Sequence, residues 1–179
     1  MKNINITLIG LPGSGKTTLG KLLAQKLGFQ FKDSDELLVE LNKNENPEIK
    51  NVQDAFKTFG EGKFRFLERQ IIEKIYQDDN IVVSTGGGVI LDENNRIIMK
   101  ERSFIIYLYF PIQTLKDRIE MMPVRPIFAN KNIQTVLEDL LKERGDLYKE
   151  LADLEFSFVD TKEQQVIHLI SVIRNASGL

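Results

Sequence analysis

Hydrophobic positions along this chain follow two alternating rhythms. Short apolar runs rich in β-branched and aromatic residues predict strands at Ile4–Gly10, Phe29–Asp33, Asn80–Thr85, Phe104–Phe110 and Glu155–Asp160. The central runs are apolar on both faces, as a parallel sheet covered by helices requires. Between them the period changes, with Leu19, Leu22, Leu23 and Leu27 recurring at helical spacing. Strand–helix alternation of this kind predicts an α/β fold: a central, mainly five-stranded parallel sheet with right-handed crossovers, layered between helices. Two stretches fit neither rhythm. LNKNENPEIKN, Leu41 to Asn51, is polar and punctuated by Pro47, and MMPVRPIFANKN carries two prolines, so both predict loops.

Composition narrows the chemistry. A chain of 179 residues, 42% of them hydrophobic, suits one compact domain. A formal net charge of −2 gives no global attraction to nucleic acid or to an anionic membrane, so any anion site must be built locally. The absence of cysteine removes disulfides, thiolate nucleophiles and Cys-type zinc sites together. The opening MKNINITLIG is too short and polar for a signal peptide, and no apolar run approaches ~18 residues. A soluble, cytoplasmic monomer is the expectation.

The sharpest motif is GLPGSGKT, Gly10 to Thr17, which follows a strand and opens a helix. It satisfies the phosphate-binding pattern G-x-x-x-x-G-K-[ST] in the context that pattern needs. Glycines let successive backbone N–H groups turn inward around phosphate oxygens, and the helix N-terminus adds partial positive charge. Lys16 supplies a point charge to the β- and γ-phosphates, and the Thr17 hydroxyl can ligate Mg²⁺. These residues establish a P-loop nucleotide binder and no more.

Two carboxylates, Asp33 and Asp35, follow at the carboxyl end of the second strand, where open parallel sheets gather ligands. Alternation along an extended segment would point both the same way. One can order waters on Mg²⁺ while the other accepts a hydrogen bond or proton from an attacking hydroxyl. The bland alternative is that one, Asp35 in particular, merely caps the helix ELLVEL.

Two arginines lie on or beside apolar helix faces. In KFRFLERQIIEKI, Glu68 falls inside the arc of Phe64, Leu67, Ile71, Ile72 and Ile75, with Arg65 at its edge three residues earlier. An inward carboxylate needs a partner, and Arg65 is the nearest candidate. In NIQTVLEDLLKERGDLY, Arg144 continues the face of Val136, Leu137, Leu140 and Leu141, just before Gly145 at what reads as a helix end. Spacing alone leaves two readings for it: a structural ion pair or a ligand clamp.

Taken with STGGGVI, RPIF and ERGDLYKELADLEF, these stretches resemble the shikimate kinase family over nearly the whole chain. The P-loop is widely shared, but its combination with D-S-D, G-E-x-x-F-R-x-x-E, T-G-G-G, R-P and E-R-x-x-L-Y-x-E-x-A-D is narrow. The resemblance implies a P-loop kinase domain spanning residues 1–179, with an acceptor-binding insert at about 35–65 and a lid at about 120–132. It implies Mg²⁺-assisted transfer of phosphate from ATP to the 3-hydroxyl of shikimate, on the route to chorismate and the aromatic amino acids. Gly13, Ser14, Gly15, Lys16, Thr17 and Thr18 would then hold ATP, with Lys16 also catalytic. Thr17, and Asp33 through water, would hold the metal. Asp35 would bind the substrate hydroxyls and serve as base, while Arg65 and Arg144 would grip the carboxylate. Gly86, Gly87 and Gly88 would leave room for the polyol against bare backbone, and Arg125 would swing in to stabilise the transferred phosphoryl group. The sequence departs from the family in a longer, more polar stretch after Asp35 and in lacking the proline of its R-x-P-L-Y segment. Rival readings are another small-molecule kinase, acting on gluconate or a nucleotide, and a non-catalytic NTP-binding module.

The only histidine, His168 in QVIHLISVI, reads as a surface or core-edge residue of a C-terminal helix. His168→Ala should leave turnover unchanged; a steady-state rate measurement checks this, and a large loss would contradict that reading.

Overall fold

The computed structural model describes residues 4–122, 126–157 and 162–177. Strand β1 (Ile6–Ile9) leads through Gly10–Gly15 into α1 (Lys16–Leu27), then β2 (Gln30–Asp33), α2 (Ser34–Asn42) and α3 (Val52–Ile75). Strand β3 (Ile81–Ser84) is followed by a single 3-10 turn (Val89–Leu91), α4 (Glu93–Arg102) and β4 (Phe104–Leu108). Then come α5 (Ile112–Glu120), a second 3-10 turn (Pro126–Phe128), α6 (Ile133–Leu151), β5 (Leu154–Phe156) and α7 (Lys162–Ser177). All five predicted strands are present; the last begins at Leu154, and residues 158–160 of its predicted span lie outside the described residues.

The sheet is parallel throughout, in the order β2-β3-β1-β4-β5. Every residue of β1 and β3 is buried, as their two-sided apolar character predicts. Of their two polar residues, Thr7 is satisfied by Tyr76 Oη at 2.5 Å and Ser103 Oγ at 2.7 Å, and Ser84 Oγ lies 3.3 Å from Thr17 Oγ1. Asp33 and Ser84 are register partners, as are Ser84 and Leu8, so the carboxyl ends of β2, β3 and β1 form one edge. Three chain segments far apart in sequence therefore emerge side by side. Among the described residues, no helix is long and apolar enough to cross a membrane.

Helix starts are set by short polar side chains accepting from their own backbone: Asp33 for α2, Asn51 for α3, Asp92 for α4 and Asn132 for α6. The polar loop predicted at 41–51 is realised between α2 and α3, although Ile49 within it is buried. Helix α3 is two helical pieces joined at Gly60, whose φ of 70° and ψ of 167° only glycine adopts readily. The kink matters for packing, because it brings Phe56 from the first piece edge-on to Phe64 of the second, with centroids 5.2 Å apart. Gly60→Ala should lower folding stability by roughly 1–3 kcal/mol in urea or thermal unfolding; an unchanged midpoint would mean that the bend is not strained.

Candidate active site

At the shared edge of β1, β2 and β3 opens a cleft of about 540 Å³. Its walls include Gly13, Gly15, Lys16, Thr17 and Thr18 on one side, with Asp33 and Asp35 beside them. Arg65, Gly86, Gly87, Gly88 and Arg144 complete the predicted set. Of the residues expected to hold ATP, Ser14 is the described one that does not reach the cleft: it is fully buried, and its N–H donates to the Leu11 carbonyl at 3.2 Å. Arg125 lies outside the described residues.

The P-loop presents the start of α1 to this space, where the first-turn N–H groups have no intrahelical acceptors. The Lys16 ammonium lies back over the loop, donating to the carbonyls of Gly10 at 2.9 Å and Leu11 at 3.0 Å. Thr17 Oγ1 donates to Asp33 Oδ2 at 2.9 Å and lies 3.3 Å from Ser84 Oγ. This joins the hydroxyl of α1, the carboxylate of β2 and the end of β3 in one polar cluster.

The two aspartates reach the cleft by a different route from the alternation expected of an extended segment. Strand β2 stops at Asp33, and Asp35 already belongs to the first turn of α2. The capping role falls to Asp33, whose Oδ1 accepts from the N–H groups of Asp35 at 3.0 Å and Glu36 at 3.3 Å. Asp35 is not the cap. Its carboxylate lies instead against the turn after β3.

That turn is where the three glycines act, each through the volume that its missing Cβ leaves open. None of them has φ in the left-handed region, so local conformation does not require glycine. Close approach does. A Cβ on Gly86 would collide with Asp35 Oδ1, and one on Gly88 would lie 2.9 Å from Arg65 Nη1. Only at Gly87 would a Cβ meet its neighbours at ordinary contact distance, 3.5 Å from both Arg144 Nη1 and Tyr148 Oη. The space given up by Gly86 and Gly88 is thus filled by the protein's own charged side chains, and Gly87 alone keeps a gap.

The two arginines converge on this turn from separate helices. Arg65 donates through Nη1 to Glu68 Oε2 at 2.8 Å, the partnership that the helical spacing predicts. Glu68 is 4% exposed, and burial raises its pKa, against the opposing pull of the Arg65 guanidinium. Arg144 donates through Nε to Glu143 Oε2 at 2.8 Å, and its side chain is largely buried. Each arginine therefore has one carboxylate partner, yet both forks border the same cleft. Helix α6 runs straight through Gly145 to Leu151, so Gly145 is not the helix end that its identity suggested. A glycine near the end of a pattern suits a C-cap, but here the apolar face continues through Tyr148 and Leu151.

Two residues that sequence reasoning passed over help to hold the glycine turn. Ser34 Oγ accepts from the Gly86 N–H at 2.9 Å, and the Tyr148 hydroxyl donates to the Gly87 carbonyl at 2.7 Å. Both lie inside quoted motifs, Ser34 between the two aspartates and Tyr148 one helical turn after Arg144. That spacing could have placed Tyr148 on the Arg144 face. Apolar lining comes from Val52, Phe56 and Phe64 of α3 and from Met122 and Ile127.

Comparisons with known proteins bear on this arrangement. The sequence model described as shikimate kinase matches residues 12–174. The shikimate kinase of Persephonella marina is 39% identical over 166 residues, covering 93% of this chain and 96% of that protein. Among solved structures, shikimate kinase from Acinetobacter baumannii in complex with shikimate superimposes with a TM-score of 0.86 at 30% identity, covering 97% of this chain and 94% of that one. A gluconokinase from Sinorhizobium meliloti 1021 is similar with a TM-score of 0.57 at 14% identity, which is a likeness of fold.

Burial gives this site a measurable signature. With its pKa raised, Glu68 holds a proton more tightly in the folded than in the unfolded chain. The stability that it contributes is present at low pH and is lost as pH rises through the window above the ordinary carboxylate range. Glu68→Gln removes that titration, so the parent should lose stability relative to the variant as pH increases above the ordinary carboxylate range. Parallel stability curves for the two proteins would contradict a buried, ionising Glu68.

Proposed function

The chain belongs to the shikimate kinase family, and from that premise we propose that it transfers the γ-phosphoryl group of ATP to the 3-hydroxyl of shikimate. The products are shikimate 3-phosphate and ADP. One observation carries the reading: Arg65 and Arg144, from α3 and α6, border the same glycine turn within one cleft that also contains the P-loop. A phosphate-binding loop alone suits many acceptors. Two guanidinium forks beside main chain without side chains suit a small acceptor carrying both a carboxylate and hydroxyls.

In this reading the nucleotide triphosphate lies along Gly13–Thr18, with first-turn amides of α1 and Lys16 on its phosphates. Arg65 and Arg144 take the acceptor carboxylate, and Glu68 holds Arg65 at its edge of the site. Asp35, beside Gly86, binds the acceptor hydroxyl and takes its proton as oxygen attacks phosphorus. The oxygen–phosphorus bond forms as the bond from the γ-phosphorus to the β,γ-bridging oxygen breaks, and ADP carries away the displaced electron pair. Most of the rate enhancement comes from positioning and charge stabilisation, as in phosphoryl transfer generally.

The residues present also suit Mg²⁺. A hydroxyl and a carboxylate, Thr17 Oγ1 and Asp33 Oδ2, meet at 2.9 Å beside the phosphate loop, and hard oxygen donors are what this ion prefers. Thr17 would ligate it directly and Asp33 through water. Bound there, the ion would offset charge on the β- and γ-phosphates. Residues at about 35–65, comprising α2 and the first part of α3, form the acceptor-binding insert. Residues at about 120–132 form the lid, which excludes water that would otherwise compete as acceptor. Arg125, within that stretch of sequence, would stabilise the transferred group.

Arg65→Ala and Arg144→Ala should each raise the KM for shikimate about 10- to 100-fold, the scale of a lost charge-assisted hydrogen bond. The KM for ATP should stay near the parent value. A coupled ADP-release assay with and without shikimate measures both. Normal shikimate kinetics in either variant would remove the carboxylate clamp, and acceptor-independent ADP release by the parent would remove the proposed reaction.

A further inference from the structure

The turn that lines the acceptor side of the cleft is gripped from behind by one aromatic side chain. Tyr148 is completely buried, and its ring stacks on Tyr107 of β4 with centroids 5.0 Å apart and planes 21° from parallel. Its hydroxyl donates to the Gly87 carbonyl at 2.7 Å. It lies one helical turn beyond Arg144, within hydrogen-bonding reach of that guanidinium. One rigid side chain thus touches both the glycine turn and one of the two arginines.

Peptide geometry gives this contact a consequence. The Gly87–Gly88 peptide is trans, so a carbonyl held toward α6 sends the Gly88 N–H the opposite way. The preceding peptide is fixed by the same logic, because the Gly86 carbonyl accepts from Val89 N–H at 3.2 Å. Among the described residues, none accepts from the Gly87 or Gly88 N–H. Two main-chain donors are therefore set in direction by bonds on their far sides and left for something else to accept.

We propose that Tyr148 is a positioning residue: by holding the Gly87 carbonyl it aims the Gly88 amide into the cleft, tightening the grip on an oxygen-bearing acceptor. This rests on the acceptor reading above. A hydrogen bond to the carbonyl also polarises the peptide and strengthens its N–H as a donor. Burial pushes the Tyr148 pKa up, so the hydroxyl stays a donor well into the alkaline range. Stacking on Tyr107 leaves the ring little freedom to release the turn.

Tyr148→Phe keeps the ring and removes only the hydroxyl. Two readouts on the full-length protein test it. In amide NMR without ligand, the Gly87 and Gly88 resonances should move or broaden, while those of Gly13 and Gly15 in the P-loop stay in place. In steady-state kinetics, the KM for shikimate should rise about three- to tenfold, the scale of one neutral hydrogen bond, with kcat and the KM for ATP nearly unchanged. Unmoved Gly87 and Gly88 amides, or equal increases in both KM values, would overturn the proposal. If the parent protein gives no shikimate-dependent ADP release, the acceptor reading fails separately, and the amide resonances alone decide whether Tyr148 sets this turn.

Discussion

Missing Cβ atoms at Gly86 and Gly88 allow Asp35 and Arg65 to press against one short stretch of main chain, and Gly87 leaves the gap beside Arg144 and Tyr148. The rest of the site follows from that crowding. With larger residues there, the short Asp35 carboxylate would have to withdraw, and α2 with it, because no flexible tail separates the carboxyl group from its helix. Arg65 could bend away more easily, but only by giving up its place beside the turn. Glycine is used here for lack of volume, not for freedom of rotation.

Crowding cations around a largely buried glycine turn raises an electrostatic question that the surrounding residues answer. Arg65 borders a partly enclosed space, where an unpaired guanidinium would be costly, and Glu68 offsets its charge from the apolar side of α3. Arg144 is treated differently, with its partner Glu143 half-exposed and adjacent in sequence. One clamp residue is thus backed by a buried carboxylate and the other by a solvent-screened one. The remaining donors of both forks border the cleft, which suits a carboxylate ligand.

Sheet topology does the collecting. Because β3 lies between β2 and β1, the Asp33 end, the glycine turn and the P-loop sit next to one another, although the glycine turn lies about fifty residues beyond Asp33 and about seventy beyond the P-loop in the chain. Helix α6 packs onto β4 and the 3-10 turn after the glycines, and so delivers Arg144 and Tyr148 from behind. The kink at Gly60 brings the Phe56 and Phe64 wall in from the other side.

Much of this was legible in the sequence because local patterns reflect local physics. Five strands, the P-loop before α1, the exposed segment after α2 and the Arg65–Glu68 pair all follow from periodicity or spacing within a few residues, and no distant contact can change which face a residue occupies on its own helix. Other features required the assembled fold. Whether Asp33 or Asp35 caps α2 depended on where β2 stops, which is set by its pairing with β3. Gly145 looked like a helix end until the packing of Tyr148 and Leu151 carried α6 past it. Above all, the volume given up at Gly86 and Gly88 is claimed by side chains from α2 and α3, and a single sequence does not reveal which residue fills a neighbour's empty space. The chain by itself determined the elements and the chemistry available to them. Tertiary structure decided which groups share a space, because that depends on volumes and charges brought together from segments with no local relation.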